Sequence, residues 1–277
     1  MFISVFHGCC PNYPQDQPDT NFHSLLFHPD IADKFFKWFD HMSWYPLGRP
    51  VGTTIYPGMQ FTAVGIFHFL RLIGIPMSLN DVCCFVPAWF GITASIFTGL
   101  IARECSGSAS AGAAAALVMS MIPAHMMRSV GGGYDNESIA VTAMTLTFYL
   151  WCRSLRKDSS WPIGILAGLA YFYMVAAWGG YVFVINMIAA HAGWLLLRGR
   201  FTRQLYLSYS LLYVIGTALA GQIPVVNWAP LKSMEQVGRG QQAWAAAIVT
   251  PLKEQMYRAC KGAAKWFSLC TAGFSAC

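Results

Sequence analysis

The sequence predicts an all-α, polytopic helical membrane protein, with about six transmembrane helices following a block of loops and short amphipathic helices. Three observations carry that fold class. The 277 residues are 56% hydrophobic and only 11% charged, with a mean hydropathy of +0.45, whereas soluble domains carry roughly 25% charged residues. The apolar residues gather into runs near the length that crosses ~30 Å of hydrocarbon. Lys and Arg collect at alternate run ends, as they do in cytoplasmic loops. The net charge of +6 raises nucleic acid as a partner, but no basic patch is interleaved with aromatics, so none is expected.

Residues 1–30 read as irregular, because Pro11, Pro14 and Pro18 interrupt any helix. The run at Met1 to Ser4 is too short for a secretory leader, so the first true span is expected to serve as the targeting signal. Residues 31–80 form a loop block. Within it, 31–40 has aromatics on one side and Lys34 and Lys37 on the other, a spacing that predicts a short helix at a membrane interface. Residues 44–58 hold three prolines and three glycines, which exclude a regular helix or central strand. A second amphipathic helix is expected over 59–73. A structural connector is the plain alternative for this whole block.

Residues 81–236 read as the transmembrane domain. Its spans are expected at 82–102, closed by Arg103 and Glu104; at 109–127, closed by Arg128; and at 139–151, followed by Arg153, Arg156 and Lys157. The next run, 161–177, reaches a Trp178-Gly-Gly180 break; 181–197 ends at Arg198, Arg200 and Arg203; 206–228 is the sixth. The Ala-rich second run and the scattered glycines suit close helix contacts in lipid. Threading the spans alternately puts the Arg103, Arg153 and Arg198 clusters on one side, which the positive-inside rule makes cytoplasmic. The loop block and the turns at 129–138 and 178–180 then face the other side together. Residues 237–277 form a tail with Lys253, Lys261 and Lys265, in which no run is both long and charge-free enough to span. The nine cysteines show neither a paired CxxC nor an even framework, so neither a zinc site nor a disulfide set is inferred.

The chemistry concentrates in the Gly-rich turn that holds Asp135 and Glu137. Acids where an apolar span meets a loop need a function or a partner. Two residues apart, both side chains can reach one hard cation, whose charge removes their mutual repulsion. Capping of the following helix, with Asp135 or Asn136 at the cap and Glu137 in the first turn, explains the same residues. Arg128 has three readings: a partner for Asp135, a contact for an anionic group, or a snorkelling span end. Asn136-Glu-Ser138 matches a glycosylation acceptor against a span end, and is taken as coincidence. His68, His125 and His191 lack ligand spacing and are expected to pack structurally.

Several longer motifs carry a resemblance. Trp38-Phe-Asp40, Ser43-Trp-Tyr-Pro-Leu-Gly-Arg49, Gly52-Thr-Thr-Ile-Tyr-Pro-Gly58, Arg128-Ser-Val130, Tyr134-Asp-Asn-Glu137 and Ala177-Trp-Gly-Gly-Tyr-Val-Phe183 resemble the catalytic subunit of eukaryotic oligosaccharyltransferase, over about residues 32–236. The resemblance implies a multi-span glycosyltransferase of the endoplasmic reticulum membrane with its active face lumenal. Such an enzyme transfers a preassembled oligosaccharide from dolichyl diphosphate to the Asn of Asn-x-Ser/Thr in a nascent polypeptide, with or without further subunits. It also implies Mn2+ or Mg2+ as cofactor, with Asp135 and Glu137 as metal ligands and catalytic carboxylates, and leaves Arg128 as a diphosphate contact. The family's first span and its own early Asp are not found before residue 31; Asp16 stands at roughly that distance with unlike neighbours. The family's later spans and its Trp-Trp-Asp-Tyr-Gly acceptor motif are not found after Gln236. The resemblance therefore covers a central fragment, and little or no transferase activity is expected of the 277 residues alone. Two other function classes compete: a transport or channel-like protein with Asp135 and Glu137 on a cation path, and a non-catalytic family remnant.

Overall fold

Ser78 sets the start of the longest helix. Its hydroxyl accepts from the Asp81 amide while the Asp81 carboxylate accepts from the Ser78 amide, a reciprocal capping box. The helix runs over Leu79–Ser106, 28 residues, or about 42 Å at ~1.5 Å per residue. The computed structural model describes residues 39–41, 45–200 and 202–227.

Ahead of that helix, β1 (Phe39–Asp40) pairs antiparallel with β2 (Arg49–Pro50), Asp40 opposite Arg49. This corrects the helix expected over 31–40 at its last two residues; 31–38 lie outside the described residues. Pairing across the loop supplies backbone partners that a two-turn surface helix leaves to water. Then come a single turn, α1 (Val51–Thr54), and the expected amphipathic helix, α2 (Gly58–Ile73). The 44–58 block, expected to hold no regular helix, thus holds one turn, started where the fixed φ of Pro50 suits a helix N-terminus.

The long helix is α3. After Gly107 the chain returns as α4 (Ala109–Met121), then α5 (Pro123–Arg128). A continuous run over 109–127 was expected. Pro123 breaks it: a residue before proline is pushed out of the α region, and Ile122 has φ −64° and ψ 120°. Helices α3 and α4 cross at Gly99 and Gly112, where a Cβ on either would stand 2.8–2.9 Å from the other's carbonyl oxygen. Only glycine permits that approach.

The remaining helices are α6 (Asn136–Ser154), α7 (Ile163–Ala177), α8 (Tyr181–Leu197) and α9 (Arg203–Ala220). Helix α6 adds almost a turn at each end of the expected 139–151. Helix α9 begins three residues before the expected run because Thr202 caps it, its hydroxyl accepting from the Leu205 amide. It stops at Gly221; residues 221–227 are turns and bends, and Trp228 lies outside the described residues. Helix α7 is the centre, packed on α6 and α9, with Tyr171, Met174 and Val175 fully buried. A second core joins Met59 and Ala63 of α2, Val82 and Val86 of α3, Tyr134, Ile139 and Ala177.

A helix thus stands at each of the six expected runs, though the second is broken. Among the described residues, α3 alone is long and apolar enough by itself to cross a membrane; α2, α4, α7 and α8 are shorter apolar helices. At the Arg-rich end, Arg153 and Arg156 both reach Glu104, and the Gln204 amide donates to the Ser154 and Lys157 carbonyls. The C-termini of α3 and α6 and the start of α9 therefore share one end of the bundle.

Candidate functional site

At the opposite end, the segment between α5 and α6 is shaped by its glycines and nailed to α3. Gly132 has φ +87°, a left-handed conformation that side chains resist, and its amide donates to the Cys84 carbonyl at 2.9 Å. Ser129 sits where a Cβ on Gly91 would be, 2.5 Å from that position. The His125 ring Nε2 meets the Gly91 carbonyl at 3.2 Å. Tyr134 is buried in the second core and its hydroxyl donates to the Met59 carbonyl at 3.4 Å. The turn therefore has a fixed place against α3 and the loop block.

That geometry brings the three sequence-picked residues together. Arg128 Nη1 lies 2.7 Å from Asp135 Oδ2, and its Nε lies 2.8 Å from Glu137 Oε2. One guanidinium bridges both carboxylates. The side chains stay open to solvent, 43% for Arg128, 25% for Asp135 and 38% for Glu137, so a small ligand can reach them.

The capping alternative divides. Asp135 occupies the N-cap position with extended backbone (φ −138°, ψ 146°), yet its side chain caps no amide. Its carboxylate is turned to Arg128 instead. Glu137 lies in the first turn of α6, where the helix dipole favours an anion. Ser138 is buried and donates to the Asp135 carbonyl, so the hydroxyl of the Asn136-Glu-Ser138 match is engaged in the start of α6. His125 meets the Gly91 carbonyl, and His191 accepts from the Trp151 indole at 3.0 Å, so both pack as expected; His68, expected to pack as well, is exposed beside Phe67.

The loop block and the Trp178 turn pack on each other at this end. A Cβ on Gly58 would stand 2.8 Å from the Ala176 carbonyl, and one on Gly179 would stand 2.7 Å from the Tyr56 hydroxyl. The Trp178 ring lies over Gly180. Arg49 is buried and donates to the Thr54 hydroxyl and carbonyl, holding α1 in shape. Burial pushes the Tyr56 hydroxyl above its ordinary pKa. Sequence reasoning missed Gly91 as an anchor, and singled out Tyr134 only as part of a motif. Each anchors the turn through a partner far along the chain.

The donor set is two hard carboxylate oxygens that already share one cationic partner, the part of a divalent-cation shell that oxygen ligands supply. Among the described residues, no third His, Cys, Asp or Glu joins them.

Comparisons with known proteins agree over most of the chain. The family model described as "Oligosaccharyl transferase STT3, N-terminal" matches residues 21–256, wider at both ends than the stretch that carries the quoted motifs. The stt3 subunit of the dolichyl-diphosphooligosaccharide–protein glycosyltransferase of Schizosaccharomyces pombe is 48% identical over 204 residues, 73% of this chain and 27% of its own length. The corresponding subunit of Saccharomyces cerevisiae is 43% identical over 206 residues, 74% of this chain and 28% of its own. Among solved structures, the oligosaccharyltransferase of Archaeoglobus fulgidus, in complex with Zn and sulfate, superposes with a TM-score of 0.57 at 19% identity, covering 84% of this chain and 32% of that one. At that identity the likeness is one of fold. The chain spans a little over a quarter of the length of the curated relatives it matches. With a family model matched along most of its residues, this chain belongs to the STT3 oligosaccharyl transferase family.

Proposed function

We propose that this chain provides the donor-side metal and diphosphate site of an oligosaccharyltransferase, acting in the transfer of a preassembled oligosaccharide from dolichyl diphosphate to the Asn of Asn-x-Ser/Thr. The observation that carries the reading is the convergence of Asp135 and Glu137 on a single guanidinium at one open end of the bundle. Printed names of relatives support it: the fungal subunits belong to dolichyl-diphosphooligosaccharide–protein glycosyltransferases, and one archaeal structure holds an inhibitory peptide and a dolichol-phosphate.

Asp135 and Glu137 would hold Mn2+ or Mg2+, which would supply Lewis-acid charge beside the reacting groups. The protein's own groups do the rest. An amide nitrogen is a poor nucleophile, and a carboxylate within reach accepts hydrogen bonds from its N–H groups and orients it. The Arg128 guanidinium, which lies beside both carboxylates, would stabilise the negative charge of the departing diphosphate. The loop block, tied to the acidic turn through Met59 and Tyr134, brings Tyr56 and Trp178 to the same end of the bundle. Acids at a helix start, facing an aromatic loop, fit an enzyme better than a cation path, which places its charges or broken helices near mid-span.

The setting is the endoplasmic reticulum membrane, with six spans and this site lumenal. Outward-facing Phe85, Ile92, Ile96, Leu166, Leu169, Phe183, Met187 and Val214 give α3, α7, α8 and α9 apolar surfaces for lipid. The test uses the full chain in lipid nanodiscs. Mn2+ binding followed by electron paramagnetic resonance should be saturable in the wild type, abolished in Asp135→Asn/Glu137→Gln, and coupled to binding of a dolichyl-diphosphate sugar. Wild-type chain that takes up no Mn2+, or a double variant that binds it equally well, overturns the reading.

A further inference from the structure

The Arg-rich end of the bundle carries a feature that transfer chemistry does not use. A cleft of about 380 Å³ opens between the C-terminal turns of α3 and α6, lined among others by Arg103, Glu104, Cys105, Cys152 and Arg156. Both thiols are free. They come from different helices, yet both line this one cleft and interact across it. Their neighbours fix that register: Glu104, next to Cys105, takes Arg153, next to Cys152, at 3.2 Å and Arg156 at 3.1 Å. Cys105 is exposed and Cys152 half-buried behind it. Burial, then the neighbouring Cys105 and Glu104, push the Cys152 thiol up to about 11, so the exposed Cys105 is the thiol that reacts first.

We propose that Cys105 and Cys152 form a reversible redox dithiol, converted to an intramolecular disulfide between α3 and α6 by exchange with a small-molecule disulfide such as oxidised glutathione. The step balances. The Cys105 thiolate attacks one sulfur of the small disulfide and expels a first thiolate, leaving a mixed disulfide at Cys105. The Cys152 thiolate attacks the Cys105 sulfur and expels the second. Two cysteine thiols are oxidised, one disulfide is reduced to two thiols, and the two protons pass to the released thiolates. The charge pattern places this end in the cytosol, where disulfides are transient and redox-sensing rather than structural. The staple ties together the two helices whose far ends hold the acidic turn: Gly91 and Cys84 of α3 seat it, and Asp135 begins α6.

This inference is independent of the metal site, and so is its test. The full chain in membranes is incubated with oxidised glutathione, remaining thiols are blocked, and tryptic peptides are mapped by mass spectrometry. Cleavage after Arg103, Arg128 and Arg153 isolates peptides 104–128 and 129–153, which carry one cysteine each. The expected product is the cross-linked pair of these peptides, lost on reduction. In Cys152→Ser the first step is trapped as a glutathione adduct on Cys105; in Cys105→Ser, Cys152 stays largely unmodified because it is the less accessible thiol. Separate adducts on both cysteines of the wild type, cross-links only to other cysteines, or unchanged thiols under oxidised glutathione excess would each overturn the proposal. The wild-type map decides without relying on any variant's folding.

Discussion

Removing the guanidinium should tighten cation binding at the two carboxylates, not weaken it. In Arg128→Gln, Asp135 and Glu137 lose contacts of 2.7 and 2.8 Å. Solvent-exposed pairs contribute about 0.2–1 kcal/mol each, and these side chains are 25–43% exposed, so the bridge is worth about 1 kcal/mol in all after screening. A divalent ion must displace that bridge before it binds. Without it, Mn2+ should bind about fivefold tighter, since ~1.4 kcal/mol is tenfold in affinity. Metal-free Arg128→Gln should be less stable by about the same ~1 kcal/mol, because two neighbouring carboxylates are left facing each other. Arg128→Lys should fall between, as a point ammonium lacks the planar fork that reaches both acids. Electron paramagnetic resonance titration of the three chains in nanodiscs reads the affinities. An unchanged or weaker Mn2+ affinity in Arg128→Gln would refute the claim that guanidinium and metal share one place.

Gly112→Ala places a methyl 2.8 Å from the Gly99 carbonyl, so α3 and α4 must separate; thermal unfolding in detergent should show a loss of about 1–3 kcal/mol. Tyr171→Ala empties the centre of the helical core, where the ring is fully buried against Gly216, and should cost about 3–5 kcal/mol by the same measurement. The Tyr56 hydroxyl is raised above its ordinary 10.0 by burial. The unfolded chain therefore ionises first as pH rises, and the stability associated with neutral Tyr56 is lost between pH 10 and the higher folded value. Tyr56→Phe should flatten that decline in a pH series of melting temperatures.

The helical class and the placing of all three site residues at one end were legible because both are written locally. Apolar runs bounded by Arg103, Arg153 and Arg198 fix where helices stop, and short connections fix which ends lie together. Other features depend on backbone limits that apolarity hides. The break at Ile122 follows from Pro123 inside an otherwise uninterrupted run. The end of α9 at Gly221 falls inside an apolar stretch, where hydropathy has no edge. Phe39 and Asp40 suit a helix by pattern but pair with Arg49 and Pro50 across a loop, a long-range choice that local spacing does not encode. The Arg128 bridge also needed the fold: it stands seven positions before Asp135, and the glycine turn seated on Cys84 brings the two face to face.

Asp135 offers the sharpest contrast between stability and function. It stands at a helix N-cap with the extended backbone of a capping residue, but its carboxylate leaves the α6 amides and points to Arg128. A filled cap is worth about 1 kcal/mol, so α6 forgoes that stabilisation. Proteins that break a local rule tend to do so at functional sites. Two variants separate the roles. Asp135→Ala removes only the partly exposed ion pair and should cost about 0.5 kcal/mol, whereas Asp135→Ser restores a cap and should be about 1 kcal/mol more stable than the alanine variant. Both should bind Mn2+ poorly, since one of the two oxygen donors is gone. A chain made more stable while losing its cation would show that the carboxylate is held there for the ion. If Asp135→Ala instead costs as much as a lost cap and serine brings no gain over the wild type, Asp135 is an ordinary helix start, and the metal reading loses its first ligand.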